Sequence, residues 1–395
     1  MGSGDPRRLR AVLLLFRFPP DYAGGGLQAS RLMEQLGRRD VEMRVLTMRS
    51  EGAGGALRER AFGGEVRRFA VFGSRRTRDL LLSLRAGWWL LTHSGWDLLH
   101  CSGFSYFGVL PLWVAKLKRR PVLIKTTVLG LDGAFNPGVS WIARKALGSF
   151  VHADVIVALS RALEDDLRAN PRLRSRVLRI PNGVDSELFR PPREGERAAA
   201  RRRFSLPEDA FVVVCCSMLY PRKNVIALVR AAAAMTTRPV CIALAGPPGP
   251  DAAYLRALDS AVAQAPPGVE VRLLGSLAPE QVAELSRGAD LCALMSRFEG
   301  LPNALLEGMA TGLPCVASDI PGSADVLAEG GGVLVPLDDD TRLAAELDRL
   351  AADPAERRRL GEEARKLALE RYSFSSIADR YRSVYEEMLG TETPR

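Results

Sequence analysis

The feature that most constrains this chain is a repeated unit: a short apolar run, a break rich in Gly or Pro, then apolar residues at helical spacing. Residues 9–16 are apolar except for Arg10 and stop before Pro19 and Pro20, which predicts a buried strand. Gly24, Gly25 and Gly26 follow, and then Leu27, Leu32, Met33 and Leu36 recur at helical spacing over 27–37. Further strands are expected at 43–47, 98–100, 122–125, 155–158 and 177–180. Strands alternating with helices imply βαβ units and a parallel sheet. The polar, Pro- and Arg-rich stretch 190–203 is expected to link two domains. A second series of strands then begins, at 211–214, 240–245, 269–274, 291–294, 314–317 and 332–335. The expected fold is α/β with two doubly wound domains, 1–185 and 205–375. Such sheets bind ligands beyond the carboxyl ends of their strands, and two of them place the expected site in the cleft between.

Composition removes several classes. Hydrophobic residues make up 47% of 395, enough for two cores and too many for a disordered chain. The apolar runs at 11–16 and 86–91 fall well short of the ~20 residues a membrane span needs. The N-terminus lacks a signal-peptide cleavage pattern, so a cytoplasmic protein is expected. The six cysteines form no CxxC pair and are expected to be reduced and buried; with three histidines, no metal site is expected. No recognition motif for nucleic acid is present. Residues 1–183 hold 30 Lys+Arg against 15 Asp+Glu, whereas 184–395 hold 25 against 31. An excess of positive charge confined to one half points to an anionic partner for that half.

The most specific stretch runs from Ser296 through Glu299, Gly300, Leu301, Pro302 and Glu307 to Gly312. Pro302 suits a first helical position, and Gly312 followed by Pro314 suits a stop. Glu299, Gly300 and Leu301 then fall in the loop between a strand and this helix. The amides at the helix start suit a diphosphate. Glu307, more than a turn further in, can accept hydrogen bonds from a sugar diol. Either acid alone reads equally as a solvated surface group.

Together Glu299 and Glu307 form an E-x7-E pattern in which the chain resembles glycosyltransferase family 4. Gly24-Gly25-Gly26, Ile180-Pro181-Asn182-Gly183-Val184-Asp185, Pro221-Arg222-Lys223 and Ala317-Ser318-Asp319-Ile320-Pro321-Gly322 fall where that family has its other motifs. The resemblance implies the GT-B fold: two facing Rossmann-like domains across a deep interdomain cleft, the first for the acceptor and the second for the donor. It also implies that a last amphipathic helix, 376–390, packs back on the first domain. By the same resemblance Lys223 binds the donor diphosphate and neutralises the leaving group; the family's further phosphate-binding arginine is absent here, so either Arg222 takes part of that work or Lys223 suffices. Glu299 meets the transferred sugar and Glu307 the ribose. The backbone of Gly300, Leu301, Pro302, Asn303 and Ala304 holds the phosphates, and Gly25 and Gly26 approach them from the first domain. Glu299 and Lys223 are the catalytic pair. The donor is a UDP- or GDP-sugar, and no metal or other cofactor is expected. Asp338-Asp339-Asp340 is expected to be a loop or helix cap.

The implied function is retaining hexosyl transfer to a lipid-linked or glycan acceptor, in cell-envelope glycan, glycolipid or polysaccharide synthesis. A sugar-nucleotide epimerase of the same fold and a non-catalytic nucleotide-sugar-binding subunit stay open as alternatives. The chain departs from the family twice. Ser217-Met218-Leu219 stands where the family has Gly-Arg-Leu, and Thr126-Thr127-Val128 stands where it has a histidine. Thr126 or Thr127 could supply a hydroxyl instead, and His100 is a further candidate contact for sugar or acceptor.

Residues 75–91 read as a helix. Leu80, Leu81, Leu84, Trp88 and Leu91 are expected to pack on the sheet. Arg78, Leu82, Arg85 and Trp89 share another face, which suits an anionic membrane surface, together with the basic run 116–120. Peripheral attachment to the inner face of the cell membrane is expected on that basis.

Overall fold

A computed structural model describes residues 8–20, 24–49, 56–126 and 148–390. The chain divides into two compact units, Met1–Gly183 with Phe374–Arg395, and Val184–Ser373.

The first unit runs β1 (Leu9–Leu14), α1 (Gly24–Gly37), β2 (Val41–Arg49), β3 (Arg58–Ala61), β4 (Gly64–Ala70), α2 (Arg75–Thr92), β5 (Leu98–Ser102), α3 (Tyr106–Leu117), β6 (Val122–Lys125), β7 (Val155–Ala158), α4 (Arg161–Arg168) and β8 (Arg176–Arg179). Its sheet has the order β3-β4-β2-β1-β5-β6-β7-β8 and is parallel except for β3. The central strands are apolar on both faces because helices cover both. The hairpin β3–β4 has no counterpart in the sequence reading. Its strands, Arg-Glu-Arg-Ala and Gly-Glu-Val-Arg-Arg-Phe-Ala, are rich in charge, which suits a sheet edge and hides the apolar signal.

The second unit runs α5 (Glu196–Arg203), β9 (Phe211–Cys216), α6 (Val225–Ala234), β10 (Val240–Ala245), α7 (Ala252–Ala263), β11 (Val269–Leu273), α8 (Pro279–Gly288), β12 (Leu291–Leu294), α9 (Asn303–Thr311), β13 (Cys315–Ser318), α10 (Pro321–Leu327), β14 (Gly332–Val335), α11 (Asp340–Ala352) and α12 (Pro354–Leu367). Its sheet, β11-β10-β9-β12-β13-β14, is parallel throughout. The last helix, α13 (Phe374–Leu389), returns to the first unit. It buries Ile377, Tyr381, Val384 and Tyr385 in the core that α1 and the sheet share. Arg39, in the turn after α1, and Asp379 on α13 close the contact as an ion pair at 2.6 Å.

Two sequence expectations are corrected. Residues 190–203 are not the link between the units, because the boundary falls at Gly183–Val184. The stretch is built into the second unit: Arg190 pairs with Glu196 at 2.8 Å, and buried Arg201 reaches Asp290 at 2.7 Å and the carbonyls of Gly288 and Ala210. Arg190, Arg197, Arg201 and Arg203 look solvated in the sequence but are paired with acids of the same unit. The second correction concerns α2, whose faces are exchanged. Leu82, Ala86, Trp89 and Leu90 are buried, whereas Leu80, Leu84, Trp88 and Leu91 are exposed. The polar residues decide this. Asp79 turns inward to accept from Ser105 Oγ at 2.8 Å, and Ser83 Oγ accepts from the Leu110 amide at 3.2 Å, both across to α3.

Candidate functional site

The strand order of the second unit reverses between β9 and β12, the topological switch point at which open α/β sheets bind ligands. The loop leaving β9 makes a short 3-10 turn, Pro221–Lys223, closed by Asn224 in the left-handed region at φ 48°. The loop leaving β12 runs from Met295 to Pro302. The Arg297 amide donates to Arg222 O at 2.8 Å and ties the two loops together.

Glu299 sits where they meet, only 9% exposed. Its Oε1 accepts from Lys223 Nζ and, at 2.6 Å, from Ser296 Oγ. Its Oε2 accepts from Arg222 Nη1 at 3.2 Å, and Arg222 also donates to Phe298 O at 2.8 Å. Glu299 is therefore not a solvated loop acid. It is a carboxylate held by three donors, two of them cationic, and a buried charge of this kind persists only with such partners. A third loop supports it: a Cβ on Gly322, at the start of α10, would lie 2.4 Å from Glu299 O. Glycine there lets the Ala317–Gly322 motif lie directly against the acid.

Pro302 proves to be the residue that caps α9, and the helix starts at Asn303 rather than at the proline. The amides of Gly300, Leu301, Asn303 and Ala304 precede the first helical bond, from Leu305 N–H to Pro302 O at 3.2 Å. At the other end Gly312 adopts φ 80°, the left-handed stop its position predicts. Glu307 lies at the fifth position of α9, and burial pushes its carboxyl up to about 7. Asp339 caps α11 through the Arg342 amide at 2.8 Å, and Asp338 pairs with Arg297 at 2.6 Å, so the triple acid is a loop and a helix cap.

In the first unit the candidates separate. Gly24, Gly25 and Gly26 form the first turn of α1 instead of a loop before it. A Cβ on Gly25 would meet nothing within 4 Å, whereas one on Gly26 would lie 2.8 Å from Arg17 O. Gly26 is thus required by the chain leaving β1, and Gly25 alone leaves open space. His100 is not an accessible contact. It is 1% exposed, bonded through Nδ1 to Tyr385 Oη at 2.6 Å and stacked on Tyr381, so it anchors α13. Burial and Lys125 push its pKa down to about 3, which keeps it neutral. Thr126 is buried and donates to Val157 O at 3.1 Å, so its hydroxyl serves the sheet. Thr127 lies outside the described residues.

The sequence reading missed Lys125, at the carboxyl end of β6. It is 7% exposed, donates to Asn182 Oδ1 at 3.0 Å, and is pushed down to about 8 by burial. Asn182 belongs to the Ile180–Asp185 motif. Gln28 holds the next residue, Gly183, through both its amide and its carbonyl, at 3.0 and 2.8 Å. A lysine ending an apolar strand reads as a solvated terminus, and nothing local reveals its burial.

Residues 196–367 match the family described as glycosyl transferases group 1, and residues 22–188 match glycosyltransferase family 4. The chain is 32% identical over 238 residues to a D-inositol 3-phosphate glycosyltransferase of Stackebrandtia nassauensis. That match spans 58% of this chain and about half, 52%, of the relative. It is 27% identical to an alpha-maltose-1-phosphate synthase of Mycolicibacterium smegmatis, over 96% of this chain and 100% of that protein. The crystal structure of Anabaena HepE in complex with UDP and glucose superposes with a TM-score of 0.74 at 19% identity, covering 96% of this chain and 100% of HepE. The fold is GT-B, and the chain belongs to glycosyltransferase family 4.

Proposed function

We propose that this chain is a retaining, metal-independent glycosyltransferase that moves a hexosyl group from a UDP- or GDP-sugar to a lipid-linked or glycan acceptor. One observation carries the reading: Glu299 is caged by Lys223, Arg222 and Ser296 at the switch point of a Rossmann-ordered sheet, beside the start of α9. HepE, which shares the fold, binds UDP and glucose, and this supports a nucleotide-sugar donor.

On this reading Lys223 and Arg222 turn from Glu299 to the donor diphosphate, and the amides of Gly300, Leu301, Asn303 and Ala304 hold its oxygens. Glu299, relieved of its cations, accepts from hydroxyls of the sugar. Glu307 accepts from the ribose diol. The bond from the anomeric carbon to the diphosphate breaks, the acceptor oxygen bonds to that carbon on the same face, and the departing phosphate takes the acceptor proton. Catalysis rests on positioning and on cations fixed where negative charge develops. Lys223 does what a metal ion would do, so saturating EDTA is expected to leave the transfer rate unchanged. A loss restored by Mg²⁺ would refute metal independence.

The direct test is a thermal-shift panel of UDP-, GDP- and ADP-sugars. A ligand that binds only the folded protein raises the melting midpoint, by ~2.7 kcal/mol of stabilisation at a hundred times its Kd. If no nucleotide-sugar shifts the midpoint, the donor assignment fails.

Glu307 sets a pH dependence. Its folded carboxyl titrates at about 7 against an ordinary 4.5, so the folded chain holds this proton more tightly than the unfolded one. This group therefore lowers stability as pH rises from 4.5 through about 7. A ribose diol donates to the ionised form, so binding expels the proton. Donor affinity is expected to rise by up to ~10-fold per pH unit below pH 7 and to level above it. Glu307→Gln should flatten the profile. Calorimetric titrations from pH 6 to 8 check this, and equal slopes in both proteins would contradict the assigned contact.

A further inference from the structure

The faces of α2 and α3 that turn away from the sheet are apolar and uncovered. On α2, Leu80, Leu84, Trp88 and Leu91 recur at spacings of four, four and three and are all exposed, Trp88 by 67%. On α3, Leu110, Trp113 and Leu117 do the same, Leu117 at 75% exposed. The two stripes belong to one surface, because the helices touch. A Cβ on Gly87 of α2 would lie 2.7 Å from the Leu110 side chain of α3, and the Leu110 amide donates to Ser83. A groove of about 330 Å³ opens along α2 beside β4. Arg67, Phe69, Arg85, Trp88, Trp89 and His93 line it. The Arg67 guanidinium lies 5.7 Å from the Phe69 ring centre, and Arg85 donates to Ala70 O, so two cations border an aromatic trough. Trp89 is 5% exposed, and its buried indole N–H has no partner among the described residues.

Positive charge is in excess around this surface, although Lys116 is paired with Asp154 and Arg120 with Asp97. Helix α2 carries Arg75, Arg76, Arg78 and Arg85 against a single acid, Asp79, which is buried on Ser105. Helix α3 carries no acid, and Lys118, Arg119 and Arg120 follow it. A second copy of the chain is a poor occupant, since a symmetric contact would set these cations against one another. A phospholipid surface offers what both parts need: acyl chains for Trp and Leu, and phosphates for the arginines at the rim. Tryptophan favours the depth at which headgroups meet hydrocarbon.

We propose that the outer face of α2 and α3 docks on an anionic phospholipid bilayer. Trp88, Trp113 and the flanking leucines enter the interface, and the groove beside Arg67 and Arg85 takes a lipid phosphate. This surface differs from the one the sequence suggested, since Leu82 and Trp89 are buried. Docking stands whether or not the second unit binds a nucleotide-sugar, because it is measured without donor.

The full chain is sedimented with phosphatidylcholine vesicles with and without phosphatidylglycerol, at low and high salt. Binding to the anionic vesicles is expected, weakened but not abolished by salt because the aromatic insertion is not screened. Leu84→Glu with Trp88→Glu should reduce binding more than tenfold. Both residues are exposed, so the melting midpoint should hold. Wild-type tryptophan fluorescence should be quenched by bilayer lipids brominated on the acyl chains, a readout that no variant's folding can confuse. Absence of that quenching overturns the proposal. So does a dimer in sedimentation velocity that the double variant dissociates, because the face would then be covered by a second copy.

Discussion

Glu299→Gln and Lys223→Met are each expected to lower sugar transfer at least ~100-fold while the protein stays folded. The gain in rate from a fixed charge depends on where charge develops, and these two groups flank the place where the sugar leaves its diphosphate on the reading proposed here. Folding should survive because each variant leaves part of the cage. In Glu299→Gln the Ser296 hydroxyl and both cations remain, and those cations reach solvent, Lys223 with 17% and Arg222 with 44% of its side chain exposed. In Lys223→Met, Arg222 and Ser296 still hold the carboxylate. Removing one partner of a buried pair costs ~3–5 kcal/mol when nothing replaces it, and here something does. Initial rates with the donor that the thermal panel selects, measured beside melting curves, decide the matter. Transfer near the wild-type rate in either variant would remove the mechanism.

The two-sheet architecture was legible because strands covered on both faces must be apolar throughout, and β6, β7, β10, β12 and β14 fall where the runs place them. The loop and helix that carry Glu299 and Glu307 were legible for a related reason. Pro302 and Gly312 answer local requirements at the two ends of the helix, and the two acids stand out only through their spacing. What could not be read depends on partners distant in sequence. Helix α2 has Leu or Trp at positions 80, 81, 82, 84, 88, 89, 90 and 91, nearly around its circumference, so periodicity cannot choose the buried face. Asp79 and Ser83 choose it through bonds to α3, some 26 and 27 residues away. Likewise His100 reads as a strand-end residue until Tyr385, 285 residues later, covers it. Arg201 reads as linker until Asp290 meets it.

Gly322→Ala is expected to cost both stability and rate, although local propensity argues the other way. Gly322 is the second residue of α10, where alanine would favour the helix by up to ~1 kcal/mol. Against this, the new Cβ would lie 2.4 Å from Glu299 O and 2.9 Å from its carbonyl carbon. These are backbone atoms and cannot rotate away as a side chain could. Forcing a methyl into such a contact costs ~1–3 kcal/mol, so the clash should outweigh the propensity. The shift it forces falls on the loop that, on the proposed reading, aims Glu299 at the sugar, and a displacement near 1 Å there costs ~100-fold in rate. A lower melting midpoint with a falling kcat is therefore expected. Wild-type stability and kcat in Gly322→Ala would mean that the contact between α10 and the Glu299 loop does not position the acid.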